Sequence, residues 1–248
     1  MLHQPTLEKL QTLRLSGMVA ALQEQLRMPD VSELGFEDRL GLLVDRELTN
    51  RSARRLNVRL QHARLRQAAC LEDIDFHHTR GLDKTLMLTL AGCQWISDHQ
   101  NILITGPTGA GKSYLACALA QKSCREGYAA LYYRCSRLFH DLAMARIDGS
   151  YTKLLKTLAK AQVLILDDWG LAPLVDEQRR DLFEVIEDRY QSKSTVVAAQ
   201  VPQDHWHKLI GDPTLADAIL DRLVHNAYKI QLKGGSMRKK IGSATLQS

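Results

Sequence analysis

Residues 106–113, Gly106-Pro107-Thr108-Gly109-Ala110-Gly111-Lys112-Ser113, constrain this 248-residue chain more than any other stretch. They fit the pattern G-x-x-x-x-G-K-[ST], and each position has a chemical reason. Glycines let the backbone curl so that successive N–H groups point inward at phosphate oxygens. Lys112 reaches the β- and γ-phosphates as a point charge, and Ser113 offers its hydroxyl to Mg²⁺. The flanks agree. Asn101-Ile102-Leu103-Ile104-Thr105 reads as a strand, and Ser113-Tyr114-Leu115-Ala116-Cys117 opens a helix whose positive end faces the same anion. Binding of a nucleoside triphosphate along Gly106–Tyr114 is the expectation.

The hydropathy pattern sets that loop in an α/β domain. Short apolar runs occur at Ile102–Ile104, Ala129–Tyr132, Val163–Leu166 and Thr195–Ala198, each followed by a longer helical stretch. Strands alternating with helices predict a parallel sheet covered on both faces. Residues 1–75 differ. Leu7, Leu10, Leu13, Met18, Leu22 and Leu26 recur at helical spacing, as do Phe36, Leu40, Leu43, Val44 and Leu48 after the break at Met28-Pro29-Asp30. The predicted fold class is therefore α/β: a P-loop NTPase domain over 76–248, with 76–100 as a connector, preceded by a small all-α domain over 1–75. So short a helical region is expected to lean on the second domain or on a partner.

Other classes fall away. Apolar residues at 45% and charged residues at 25% are ordinary globular usage, against a disordered or fibrous chain. No window holds 18 consecutive apolar residues, and the first residues show no signal peptide, so no membrane partner is expected. Cys70, Cys93, Cys117, Cys124 and Cys135 are scattered and never spaced Cys-x-x-Cys. They read as small buried hydrophobes in a reducing cytoplasm.

Val163-Leu164-Ile165-Leu166-Asp167-Asp168 is an apolar run ending in two carboxylates, and the carboxyl ends of parallel strands are where open α/β sheets place ligands. Asp167 is the candidate for Mg²⁺, and Asp168 the candidate to orient or deprotonate an attacking water. An ATPase or GTPase is favoured over a small-molecule kinase. Gln200 follows the next strand. It reads either as a group between the γ-phosphate and that water or as a surface amide before Pro202. Further on, Thr214 and Asp217 have capping-box spacing at a helix start. Leu215, Ile219 and Leu223 then form an apolar stripe with Arg222 at its margin. Two readings of Arg222 stand: pairing with Asp221 or Asp217, or projection into a neighbouring subunit's phosphate site.

Asp167-Asp168-Trp169-Gly170-Leu171-Ala172-Pro173, the string from Leu209 to Leu223, and Gly235-Ser236-Met237-Arg238-Lys239 add specificity to the phosphate loop. With it they resemble the IstB family over nearly the whole chain. IstB proteins are helper ATPases encoded by bacterial insertion sequences beside the transposase IstA. They are similar to DnaC helicase loaders and belong to the AAA+ initiator group with DnaA. The resemblance implies ATP and Mg²⁺ as cofactors, Lys112 and Ser113 as Walker A residues, and Asp167 as the Walker B metal carboxylate. Asp168 then stands at the catalytic acid, where a glutamate is usual, Gln200 at sensor 1, Arg222 at the arginine finger and Arg238 at sensor 2. It further implies an ATP-dependent homo-oligomer in the bacterial cytoplasm, associated with the nucleoid when on DNA, that delivers target DNA to an IstA-type transposase. The alternative is a DnaC-type helicase loader acting on single strands. A nucleotide kinase and an ATP-gated scaffold are remoter.

A DNA surface is suggested by residues 51–66, which carry Arg51, Arg54, Arg55, Arg59, Arg64 and Arg66 and no acid, in a chain of net charge +5. At helical spacing Arg51, Arg55, Arg59, His62 and Arg66 share one face, opposite Ala53, Leu56, Leu60 and Ala63. The readings are a face for phosphates of duplex DNA without a base code, a solvated face, or a face for an acidic partner or membrane surface. Lys233, Arg238, Lys239 and Lys240 add a weaker basic end. Aromatics are 6% and none lies in 51–66, which favours duplex over the stacking platforms used for single strands.

Overall fold

A computed structural model of the chain describes residues 3–76 and 80–235. Contacts divide the chain into two compact units, Met1–Val58 and Arg59–Ser248. The division falls inside a helix, ahead of the 75/76 boundary that hydropathy suggested.

The first unit contains α1 (His3–Thr12), α2 (Ser16–Gln25), a short 3₁₀ turn (Pro29–Glu33) and most of α3 (Phe36–Ala63). α2 meets α3 at Gly17. A Cβ there would stand 2.6 Å from Glu47 Cα, so only glycine permits the approach. The Glu47 carboxylate, buried at this crossing, accepts hydrogen bonds from Gly17 N at 2.6 Å and Met18 N at 3.2 Å. It thereby supplies the anion that the uncapped start of α2 lacks. Arg51 Nε donates to the same carboxylate at 2.6 Å. The helical spacing of Phe36, Leu40, Val44 and Leu48 does not mark a buried face, for all four are exposed. Two ten-residue helices cannot cover every side of the 28-residue α3.

The second unit is built on five parallel strands: β1 (Asn101–Thr105), β2 (Ala130–Arg134), β3 (Val163–Trp169), β4 (Ser194–Ala199) and β5 (Ala227–Gln231), in the order β2-β3-β4-β1-β5. The helices are α4 (Lys84–Ala91), α5 (Gln94–Ser97), α6 (Lys112–Arg125), α7 (Cys135–Ile147), α8 (Tyr151–Lys160), α9 (Asp176–Glu187), α10 (Trp206–Ile210) and α11 (Pro213–Val224). α6 lies against β2, β3 and β4. The other face of the sheet (Leu103, Leu131, Leu164, Leu166, Val197) packs with Leu138, Leu142, Leu182, Ile186, Ile219 and Leu223 of α7, α9 and α11. Burial on both faces is why these strands read as unbroken apolar runs. Side chains alternate along a strand, so Asp167 shares the α6 face with Ile165, and with Tyr132, the residue that pairs with Ile165 across the strands.

Three expectations need correction. The stretch 76–100 is not a bare connector: Asp83 caps α4 by accepting from Thr85 N at 2.8 Å, and Trp95 of α5 is 2% exposed. β5 was not foreseen, because Ala-Tyr-Lys-Ile-Gln alternates with polar residues, as an edge strand does. The cap of α11 is Asp212, not Thr214. Asp212 accepts from Leu215 N at 2.8 Å, and Pro213 at the first helical position holds Asp212 extended. Cys93, Cys117, Cys124 and Cys135 are buried as free thiols.

At the far end of the sheet from the phosphate loop, Arg189 is 2% exposed and faces no carboxylate. Its guanidinium donates to Leu158 O at 2.6 Å, Ala161 O at 2.7 Å, Ser194 O and Thr195 Oγ1 at 3.1 Å. Burial pushes its pKa down to about 9, which leaves the side chain charged at neutral pH.

Candidate functional site

The loop after β1 turns through left-handed backbone at three glycines, with φ of 146° at Gly106, 82° at Gly109 and 98° at Gly111. Gly106 is the tightest. A Cβ there would meet Leu232 O at 2.5 Å and Leu232 Cβ at 2.9 Å. Leu232 cannot retreat, because its N–H is tied to Thr105 O at 2.7 Å. Gly106→Ala is therefore expected to destabilise the protein by about 2–3 kcal/mol. Thermal unfolding would show this as a midpoint lowered by roughly 4–12 °C.

α6 starts at Gly111 with no side chain capping it, so the amides of its first turn are available to an anion. Lys112 is 8% exposed, and its ammonium donates to Pro107 O at 2.9 Å. Burial lowers its pKa, against the pull of the Asp167 and Asp168 charges. A buried cation whose hydrogen bond goes to one loop carbonyl is suited to a polyanionic ligand.

The two carboxylates close the site from β3. Asp167 is 1% exposed. Its Oδ1 accepts from Asp168 N at 2.9 Å, and its Oδ2 accepts from the Tyr132 hydroxyl at 2.6 Å. Burial and this bond hold the Tyr132 hydroxyl far above its ordinary pKa, so it remains a donor. Asp168 sits at φ 59°, where the pairing of β3 with β4 slips between Leu166 and Trp169. Left-handed backbone at a non-glycine residue costs about 1 kcal/mol, and here it turns the second carboxylate away from the ladder. β4 lies between β3 and β1, which brings Gln200 to the loop: Thr108 Oγ1 donates to Gln200 Oε1 at 2.9 Å.

These groups fit a magnesium-bound triphosphate. The glycine cradle admits no side chain at Gly106, the lysine lies at the loop, and the Asp167 carboxylate and the Ser113 hydroxyl are the kind of hard oxygen that Mg²⁺ prefers. Arg80 was missed as a site residue. It is 7% exposed, donates to Asp75 O at 3.2 Å, and brings Nη1 within 3.0 Å of where a Gly111 Cβ would stand. Burial lowers its pKa. An Arg-Gly pair inside a presumed connector was the available signal. Tyr114 turns its hydroxyl to Cys70, donating to Cys70 O at 3.3 Å and standing 3.4 Å from Cys70 N.

Other expected residues go elsewhere. Arg222 lies at the end of α11. Its guanidinium pairs with Glu187, donates to Ala218 O at 2.8 Å, and stands over the rings of Phe183 and Tyr190. Its carbonyl is bound by Asn101 at the start of β1, the opposite end of that strand from the phosphate loop. One five-residue strand, about 13 Å at 3.3 Å per residue, separates the two ends. Arg238 lies outside the described residues. The arginines of 51–66 do not form a single helical stripe. α3 ends at Ala63, and Arg64 turns the chain with φ 52°. Arg54 and Arg55 are exposed, Arg51 is paired with Glu47, and Arg59 Nε donates to Cys124 O at 2.8 Å. Arg66 lies 3.7 Å from both Asp167 and Asp168. Arg66 thus belongs to the carboxylate site, because the break at Arg64 removes it from the helix on which the stripe was drawn.

Comparison with known proteins agrees with this architecture. A family model described as IstB-like ATP binding protein matches residues 8–245. The chain is 50% identical to an insertion sequence ATP-binding protein of Sinorhizobium fredii over 239 residues, covering 96% of this chain and 98% of that one. It is 33% identical to the insertion sequence IS21 ATP-binding protein of Pseudomonas aeruginosa over 234 residues, covering 94% and 87% of the two chains. In fold alone it is similar to the crystal structure of the DnaC helicase loader, with a TM-score of 0.55 at 20% identity over 66% of this chain and 97% of that one.

Proposed function

The chain belongs to the IstB-like ATP binding protein family, and from that membership we propose that it is an ATP-dependent helper of DNA transposition. In this reading the backbone of Gly106–Tyr114 and the Lys112 ammonium hold ATP, and Ser113 and Asp167 hold Mg²⁺. Bound there, Mg²⁺ would supply charge to neutralise the phosphates. Asp168 orients or deprotonates the attacking water, and Gln200, anchored through Thr108, bears on the same water. Aspartate is one methylene shorter than the glutamate usual at this position, so turnover is expected to be slow.

The observation that carries the assembly part of the proposal is the position of Arg222. It lies a strand length from the phosphate loop of its own chain, so any phosphate it serves belongs to another subunit. ATP then acts as an assembly switch, and hydrolysis releases the oligomer. The oligomer binds duplex DNA without sequence preference, through Arg54 and Arg55 with support from Arg51 and Arg59, and delivers it to the transposase. The insertion-sequence names of the relatives support a transposase partner. Exposed Phe36, Leu40, Val44 and Leu48 of α3 support protein contact by the helical unit. Among the described residues no helix is long and apolar enough to cross a membrane, and the cytoplasm is the proposed setting.

Mass-resolved assembly tests this. Wild type and Arg222→Ala are each mixed with duplex or single-stranded DNA, with and without ATP. The expected result is large complexes on duplex that need ATP and disappear in Arg222→Ala, while the variant still binds ATP. Preference for single strands would favour a DnaC-type loader instead. Small complexes indifferent to ATP and to Arg222 would overturn the trans geometry.

A further inference from the structure

Arg66 stands where a metal ion would have to compete with it. One guanidinium nitrogen lies 3.7 Å from Asp167 Oδ2 and 3.7 Å from Asp168 Oδ2. Equal separation from one oxygen of each carboxylate is the position of a bridging cation. The Tyr132 hydroxyl donates to the same Asp167 oxygen at 2.6 Å, so that oxygen is shared between a phenol and a guanidinium. Two full cations cannot share one carboxylate pair without strong mutual repulsion at such distances.

Arg66 is also built to leave. Its side chain is 40% exposed, whereas that of Asp167 is 2% exposed. It sits in a stretch with no helix or strand between Ala63 and Phe76, and Arg64 at φ 52° gives that stretch a turn at its root. The stretch is anchored further on by buried Ala69 and by the hydrogen bonds between Cys70 and Tyr114. The Arg66 side chain itself is held by its two ion pairs and the Tyr132 hydroxyl, which a half-exposed guanidinium leaves at low cost. We infer that Arg66 fills the cation position of the Asp167–Asp168 pair in the nucleotide-free chain and is displaced when Mg²⁺ enters with nucleotide. One guanidinium half-compensates the two carboxylates when the site is empty, and loading loosens the start of the segment that leaves α3. The inference rests on the reading of Asp167 as a metal carboxylate.

Two measurements on the full chain test it. The first is Mn²⁺ binding followed by electron paramagnetic resonance, without nucleotide, in wild type, Arg66→Ala, Arg66→Gln and Asp167→Asn. Removing the competing charge is expected to tighten Mn²⁺ binding about tenfold in both Arg66 variants, the order by which one nearby like charge moves an ionic equilibrium. Asp167→Asn is expected to lose the site. The second is hydrogen exchange in wild type. Amides of residues 64–70 are expected to exchange faster with Mg²⁺ and a non-hydrolysable ATP analogue than with the analogue and a chelator. Mn²⁺ binding that requires Asp167 but is equal in wild type and both Arg66 variants would overturn the displacement alone. Unchanged or slower exchange on loading would overturn it too, by showing that Arg66 stays. Mn²⁺ binding indifferent to Asp167→Asn would remove the metal reading itself, and the displacement with it.

Discussion

Lys112→Ala is expected to lower ATP affinity by about 100-fold or more, because a charge-assisted contact to phosphate inside a partly desolvated site contributes about 3 kcal/mol. Hydrolysis should fall below detection. The same variant should keep its thermal midpoint in the absence of nucleotide. In the empty chain the ammonium is buried, its pKa is lowered by that burial, and its hydrogen bond goes to Pro107 O. Removing a desolvated cation relieves that burial, and Arg66 still faces Asp167 and Asp168, so the fold loses little. Isothermal titration with ATP and a thermal melt without it separate the two effects. Affinity within a few-fold of wild type would sink the assignment of Lys112 to the phosphates. A large loss of stability would mean that the lysine serves the fold instead.

Arg189→Met is expected to have the largest effect on stability, at about 3–5 kcal/mol, with no direct effect on the nucleotide site. Methionine fills a similar volume but donates nothing. Leu158 O, Ala161 O and Ser194 O would be left without this donor at the ends of α8, β3 and β4. The guanidinium joins these elements because its planar fork presents five donors in fixed directions. Arg189→Lys should recover only part of the loss, since one ammonium cannot span three separated carbonyls. Chemical denaturation read by circular dichroism gives the ordering, wild type above lysine above methionine. A methionine variant within 1 kcal/mol of wild type would show that the carbonyls find other partners.

Much of the fold was legible because it is encoded locally. Four strands appeared as apolar runs, since both faces of their sheet are covered and no polar position interrupts them. β5, at the sheet edge and half exposed, carried no such run. α4 and α5 were hidden in what read as a connector, because Trp95 is buried by tertiary packing and its spacing does not announce it. The site divides the same way. The phosphate loop is contiguous in the chain, so its pattern states its geometry. The partnership of Thr108 with Gln200 joins residues 92 apart in sequence, and no local pattern reports it. The basic stripe was over-read, because helical spacing was carried past Ala63, where a left-handed residue ends the helix.

The sequence by itself determined the glycine loop, its lysine and hydroxyl, the acidic end of β3 and the parallel α/β class. Those features depend on backbone conformation and on burial periodicity, and both are written in consecutive residues. Only the tertiary structure decided where the arginines go. Arg66 turns to Asp167 and Asp168, Arg189 to three carbonyls, Arg80 to the flank of Gly111, and Arg222 to Glu187 at the far end of β1. A guanidinium on a long, flexible stem finds its partner by charge and hydrogen-bond geometry across the fold, and the identity of its neighbours in the chain carries no record of that choice.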